Sequence, residues 1–176
     1  MNNDNIIYEN VQDGITIRLA VREDANFIFQ MVQELAAYEH ALEDVHSSPE
    51  HFEKWLFDTP VAECLIATLD GANVGIALFF TNFSTWEGVP GFFLEDLVVM
   101  PDARGKGLGK SLFQALAILA QQRGYIRLEW SCLDWNEPSL DFYKSLGALA
   151  RTDWIPHRLD LAEMQTLAQV WNHNMK

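Results

Sequence analysis

A mixed α/β (α+β) fold is predicted by three observations. Apolar residues alternate in short strand-like runs near Ile15, Val61, Val74, Phe92 and Ile126. Between these runs, other apolar residues recur at helical spacing. A glycine-rich loop joins one strand directly to a helix, the junction of a strand–helix–strand unit. With 176 residues and no repeats or composition breaks, the chain suits one domain.

Residues 1–13 are polar and are expected to be a flexible N-terminus, leaving 14–176 as the domain. Ile15 to Val21 alternates as a strand. Asp24 then offers an N-cap, and Phe27, Ile28, Met31, Leu35 and Tyr38 mark a helix. Ser47-Ser48-Pro49-Glu50 opens a short second helix, with Phe52, Trp55 and Leu56 on one face. Val61 to Leu69 and Val74 to Phe83 are strands around the turn Asp70-Gly71-Ala72-Asn73. Phe92 to Val99 is the fourth strand. A helix from Leu108 to Arg123 is stopped by Gly124, and Ile126 to Cys132 is the fifth strand. Pro138 opens a helix that Gly147 stops. Trp154 to Asp160 is expected as a last strand and Leu161 to Trp171 as a last helix.

Twelve Lys and Arg against 25 Asp and Glu give a net charge of −13. Such a surface excludes strong nucleic-acid binding and docking on anionic lipid, and it permits a cationic partner. The first ten residues lack the basic and apolar regions of a signal peptide. No apolar run approaches the ~20 residues of a membrane span, so a cytoplasmic location is expected. Cys64 and Cys132 lie in apolar runs and read as buried free thiols. His40, His46 and His51 share no helical face at metal-ligand spacing, so no metal is expected.

The strongest local signal is Arg104-Gly105-Lys106-Gly107-Leu108-Gly109, with Lys110 next. Glycines let backbone N–H groups approach a ligand closely, and a helix start adds unpaired donors and partial positive charge. Together they suit a phosphate or pyrophosphate. A Walker A loop would need glycine where Arg104 stands, and a dinucleotide loop needs G-x-G-x-x-G where this chain has G-x-G-x-G.

Arg104 to Gly109 resembles the acetyl-CoA loop of the GNAT acetyltransferases, [RQ]-x-x-G-x-[GA]. Leu94 to Val99 before it, and Leu133-Asp134-Trp135-Asn136 and Phe142 to Gly147 after it, stand in the family's order. Glu34 to Glu39, Ser84-Thr85-Trp86 and Leu94-Glu95-Asp96 resemble the diamine (spermidine/spermine) and thialysine N-acetyltransferase subset. The resemblance implies a sheet splayed between the fourth and fifth strands, with acetyl-CoA as co-substrate lying along the fourth. It implies cofactor contacts at Leu97, Val98 and Val99, at Arg104 to Lys110 (Gly105, Lys106, Gly107, Leu108 and Gly109 included), and at Asn136 and Tyr143. It implies amine contacts at Tyr38, Glu39, Trp86, Glu95 and Asp96. Dimers are usual in the subset, so a homodimer is expected, with Trp171 as a possible contact.

Acetyl transfer to an amine sets three chemical needs. The ammonium, with a pKa near ~10.4, must lose a proton before it attacks. The oxyanion needs a donor, and the departing thiolate benefits from a proton. Glu95, a carboxylate inside an apolar strand and facing opposite to Leu94 and Asp96, reads as the base, with a pKa raised by partial burial, or as a strand-end carboxylate held by a salt bridge. Tyr143 stands where the family has a general acid; packing against the sheet is the alternative. Asn136 contacts the cofactor or caps the helix at Pro138. Glu39 attracts an ammonium or is simply solvated. Ser84-Thr85 lacks the acidic residue typical of polyamine-preferring members, which favours a shorter amine or a lysine analogue. The leading reading is a small-amine N-acetyltransferase using direct transfer. A protein lysine or N-terminal acetyltransferase and a non-enzymatic acetyl-CoA-binding module are the alternatives.

Overall fold

Strand pairing begins earlier than the sequence suggests. In the computed structural model, which describes residues 5–173, Ile6–Asn10 form β1 and pair antiparallel with β2, Ile15–Leu19. This segment was expected to be flexible. Its Ile6, Ile7 and Tyr8 are good strand formers among polar neighbours, and the free edge of β2 supplies the ladder that local composition does not show. The chain divides into two compact units, Met1–Ser131 and Cys132–Lys176.

The first unit is built on a six-stranded sheet in the order β1-β2-β3-β4-β5-β6. β3 (Glu63–Leu69) and β4 (Ala72–Ser84) form a hairpin around Asp70 and Gly71, both at positive φ, as a tight two-residue turn requires. β5 (Val89–Val99) returns along β4. β6 (Leu128–Trp130) alone is parallel, joined to β5 through α3 (Leu108–Gln122). The fifth expected strand is thus trimmed to three residues.

Helices cover the two faces of the sheet. α1 (Ala25–Tyr38) packs with β4, β5 and the short α2 (Pro49–Glu53) around a core of Ile28, Met31, Leu56, Cys64, Ile66, Ile76 and Val98. α3 lies against all six strands, and Leu108, Leu112 and Leu116 are fully buried. Its end is a Schellman turn. Gly124, at φ +72°, lets the Tyr125 N–H reach the Ala120 carbonyl at 2.8 Å.

Two helix details depart from the expected pattern. After α2 the chain widens into a π turn, Lys54–Asp58, with the Thr59 N–H on the Lys54 carbonyl. The extra residue rotates the face, so Leu56 is buried and Trp55 turns outward beneath Lys54. Asp24, expected as the N-cap of α1, makes no cap bond to that helix. It accepts both guanidinium donors of Arg18, at 2.6 and 2.8 Å, and the Val21 N–H at 2.8 Å. Burial pushes its carboxyl up, but Arg18 and Val21 outweigh that and hold it below the usual carboxylate range.

In the second unit, α4 (Glu137–Ser145) is capped by Asn136 and closed by Gly147 at φ +84°. α5 spans Leu161–His173. Trp154 to Asp160 forms no strand, since no strand of its own unit stands beside it to complete a ladder. Cys132 is half-buried, whereas Cys64 is buried as expected. The side chain of Trp171 lies outside the described residues.

The Arg18–Asp24 pair ties β2 to the start of α1. Asp24→Asn should cost about 3 kcal/mol, because it strands a largely buried guanidinium. Urea denaturation checks this; a loss within about 0.5 kcal/mol would show that the pair is worth no more than a surface bridge.

Candidate functional site

The site starts from an irregularity in β5. Leu94 pairs with Phe79 and Asp96 with Leu78, so Glu95 is an extra residue with no opposite number on β4. This β-bulge changes which face each side chain takes. Leu94 joins the face covered by α3. Asp96 shares a cross-strand row with Leu78 and Cys64, on the face covered by α1. The sequence reading put Leu94 and Asp96 on one face, as strict alternation would; the bulge separates them.

The bulge is also where the sheet opens. β6 pairs with β5 only through Phe92, Phe93 and Leu94. From Glu95 to Val99, β5 has no strand beside it on that side among the described residues. Met100 donates to the Val74 carbonyl at 2.8 Å, in register with Val99 opposite Gly75. Antiparallel pairs alternate, so Leu97 and Val99 direct their N–H and C=O groups away from β4, toward the opening. These are two of the residues expected to meet the cofactor.

Just beyond, residues 104–107 are exposed and lead into α3. Gly105 and Gly107 hold φ of +76° and +85°, and a Cβ at either would meet no atom within 4 Å. Glycine is needed here for its backbone conformation rather than for space. The first bond closing α3 runs from the Ser111 N–H to the Gly107 carbonyl at 3.0 Å. The N–H groups of Leu108, Gly109 and Lys110 are therefore left at the helix start. With Lys106 and Lys110, this is a basic anion cradle at the end of the opened strand. Leu108 itself is buried and anchors the helix.

The acidic side of the site gathers at the end of α1. Glu39 follows the last residue of the helix, in a Schellman turn that puts His40 at φ +59° and bonds the Ala41 N–H to the Ala36 carbonyl at 2.8 Å. Burial raises the Glu39 carboxyl. Asp96 is raised further, to about 6, first by burial and then by the neighbouring charges of Glu95 and Glu39. Glu95 is exposed, so the burial expected of it falls on Asp96 instead. The sequence signal for Asp96 was present, a second acid in an apolar strand, but only the bulge shows which acid is enclosed.

Tyr38, half-exposed, ends α1 with its ring 5.5 Å from the Arg104 guanidinium carbon. Trp86 lies elsewhere. It is 88% exposed in the turn between β4 and β5, and seven residues of strand, Val89 to Glu95, separate that turn from Asp96, about 23 Å of chain. In the second unit, the Asn136 side chain accepts from the Ser139 N–H at 3.3 Å, so capping is its observed role. The Tyr143 ring is half-buried, 5.6 Å from that of Phe142. Among the described residues, no group of three or more His, Cys, Asp or Glu is placed to hold a metal.

Comparison with known proteins agrees with this geometry. The model of the acetyltransferase (GNAT) family matches residues 20–148. A thialysine N-epsilon-acetyltransferase of Bos taurus is 34% identical over 166 residues, covering 88% of this chain and 97% of that protein. An L-ornithine N5-acetyltransferase of Arabidopsis thaliana is 36% identical over 98 residues, 56% of this chain and 43% of that one. Among solved structures, an integron cassette protein of V. cholerae superposes with a TM-score of 0.74 at 23% identity, over 89% of this chain and 98% of its own. An opened sheet edge, a glycine loop at a helix start and a family match over residues 20–148 converge, and the chain belongs to the GNAT family of acetyltransferases.

Proposed function

We propose that this enzyme moves the acetyl group of acetyl-CoA directly to a primary amine of a small cationic acceptor, a thialysine- or lysine-like amino acid or a diamine. The observation that carries this reading is the juxtaposition on one strand. The opened half of β5 ends in an anion cradle, and the same strand bears Glu95 and the enclosed Asp96. The similarity to a thialysine acetyltransferase over 88% of this chain and the partial one to an ornithine acetyltransferase support the acceptor class.

Acetyl-CoA supplies an activated thioester. The residues present fit it: Leu97 and Val99 would hold its pantetheine arm, while Val98, expected to share that role, is bonded to β4 with its side chain in the core beneath α1, and the loop from Arg104 to Lys110 would hold its pyrophosphate. Asp96 and Glu39 draw in the ammonium, and Tyr38 lines its approach. Glu95, open to solvent at the bulge, takes the proton from the amine nitrogen through water, leaving the lone pair free. A backbone N–H of Leu97 or Val99 holds the acetyl oxygen as it gains charge. Tyr143 is assigned the proton donated to the departing sulfur, and Asn136 orders the start of its helix. Trp86, distant within one chain, contributes to an acceptor site through a homodimer. We place the enzyme in the cytoplasm.

A panel of spermidine, putrescine, thialysine, lysine and a lysine peptide, assayed for CoA release, tests the acceptor class. Thialysine or a short diamine should turn over fastest; turnover of the peptide alone would overturn the proposal. With the best amine, Glu95→Gln and Tyr143→Phe should each lower kcat about 100-fold or more while leaving the Kd for CoA unchanged.

The raised Asp96 carboxyl sets a pH dependence. In the folded protein it binds its proton more tightly than in the unfolded chain. It therefore costs nothing below about pH 4 and destabilises as pH rises through about 6. Asp96→Asn should raise Tm at pH 7.5, by the equivalent of up to about 3 kcal/mol, with the gain vanishing near pH 4. In the wild type, the KM for the amine should climb as pH falls below about 6, and the Asn variant should have a high KM without that limb. A variant indistinguishable from wild type at both pH values would remove Asp96 from the site.

A further inference from the structure

The face of the sheet that carries Asp96 continues beyond the core beneath α1. Alternation from Leu78 puts Phe80 and Asn82 on that face of β4, with Phe93 and Gly91 opposite them on β5. On β6, Glu129 stands beside Phe93. The half-buried rings of Phe80 and Phe93 stack with their centroids 5.2 Å apart. Past the rings lies a polar cluster. Asn82 Nδ2 donates to Glu129 Oε2 at 2.7 Å, and Arg127 Nε lies 2.9 Å from the same oxygen.

This cluster is assembled but not satisfied. Asn82 Oδ1 is buried and accepts no hydrogen bond among the described residues, and the Arg127 Nε–H is off the line of one. Gly91 makes the room: a Cβ there would stand 2.5 Å from Arg127 Cγ and 2.9 Å from Asn82 Oδ1. The arginine stem therefore crosses β5 at its one residue without a side chain on this face, and the side chain keeps 32% exposure.

We infer that Asn82, Arg127 and Glu129 receive the α-ammonium and α-carboxylate of an amino-acid acceptor whose terminal amine lies at Asp96. This assignment rests on the acetyltransferase reading above and selects within its acceptor class. A zwitterion enters between Arg127 and Glu129 with the charges kept balanced. Its carboxylate takes the guanidinium, and its ammonium takes Glu129 and Asn82 Oδ1. A diamine brings only a second ammonium, which parts Arg127 from Glu129 and gives it no counter-charge in return. The span agrees. Glu129 is three residues along β5 and one strand across from Asp96, about 11 Å. An extended chain of lysine length, with a hydrogen bond of about 3 Å at each end, covers a similar distance. The two rings between support its apolar middle, whether carbon or thioether.

The probes are thialysine and the diamine left when its carboxyl group is replaced by hydrogen. CoA release at saturating acetyl-CoA gives kcat/KM for each amine in wild type, Arg127→Met and Arg127→Lys. Both amines are measured on one preparation, so any loss of folded protein cancels in their ratio. Wild type should favour thialysine at least about ten-fold. Arg127→Met, which keeps the stem over Gly91, should raise the KM for thialysine about ten- to 100-fold and bring the ratio to about one or below. Arg127→Lys, which keeps the charge, should recover part of the preference. A ratio unchanged in Arg127→Met, or a wild type that uses the diamine as well as thialysine, would overturn the inference. Turnover of no amine by wild type would instead overturn the acetyltransferase reading.

Discussion

The parting of β5 from β6 is the constraint on which the rest of the molecule turns. Parallel pairing holds for three residues and stops at Leu94, immediately before the bulge at Glu95. Backbone donors and acceptors in the middle of a sheet are normally satisfied by the next strand. Here Leu97 presents its N–H and C=O, and Val99 its N–H, to an open edge, while the Val99 carbonyl accepts from the Arg104 Nε at 3.0 Å. An extended ligand able to accept and donate hydrogen bonds would complete that ladder, as the proposed function requires. The glycine loop and the start of α3 follow directly from the C-terminal end of the strand, so the open ladder and the unpaired N–H groups of a helix start lie in sequence along one element.

The bulge has a second effect, on electrostatics. By flipping alternation once, it sends Asp96 beneath α1 while Glu95 stays in solvent. Two adjacent carboxyls thereby acquire different surroundings: Glu95 is exposed, while Asp96 is half-buried and raised by burial and by the charges of Glu95 and Glu39. The overall charge of −13 is too diffuse to direct a cation anywhere in particular. Glu39, Glu95 and Asp96, brought together by the end of α1 and the bulge, concentrate it at one place, against a basic cradle formed by Lys106, Lys110 and a helix start. Opposite charges thus stand at separate places along one strand, as the proposed acceptor and cofactor sites require.

Much of this was legible in the residues. Helix ends were marked by Gly124 and Gly147, the hairpin by Asp70-Gly71, and the loop before α3 by its glycines, because each depends on local backbone conformation. What was hidden depends on partners distant in sequence. β1 exists because β2 offers an edge, and Trp154 to Asp160 stays irregular because nothing in its own unit does. A π turn, not composition, exposes Trp55. Asp24 was legible as an acid before a helix, but its bond to Arg18 rather than to the helix depends on where β2 lies. The enclosed acid was misplaced by one residue, since a single bulge inverts the parity that alternation assumes.

Hydrogen exchange at the backbone of β5, with and without acetyl-CoA, tests the central claim most directly. If the strand is an open edge awaiting an extended ligand, the amides of Leu97 and Val99 exchange rapidly in the free protein, while Asp96 and Val98, bonded to β4, are protected. Saturation with acetyl-CoA should then slow Leu97 and Val99 at least ten-fold. Protection confined to residues 105–110, with Leu97 and Val99 unchanged or already slow in the free protein, would contradict the account.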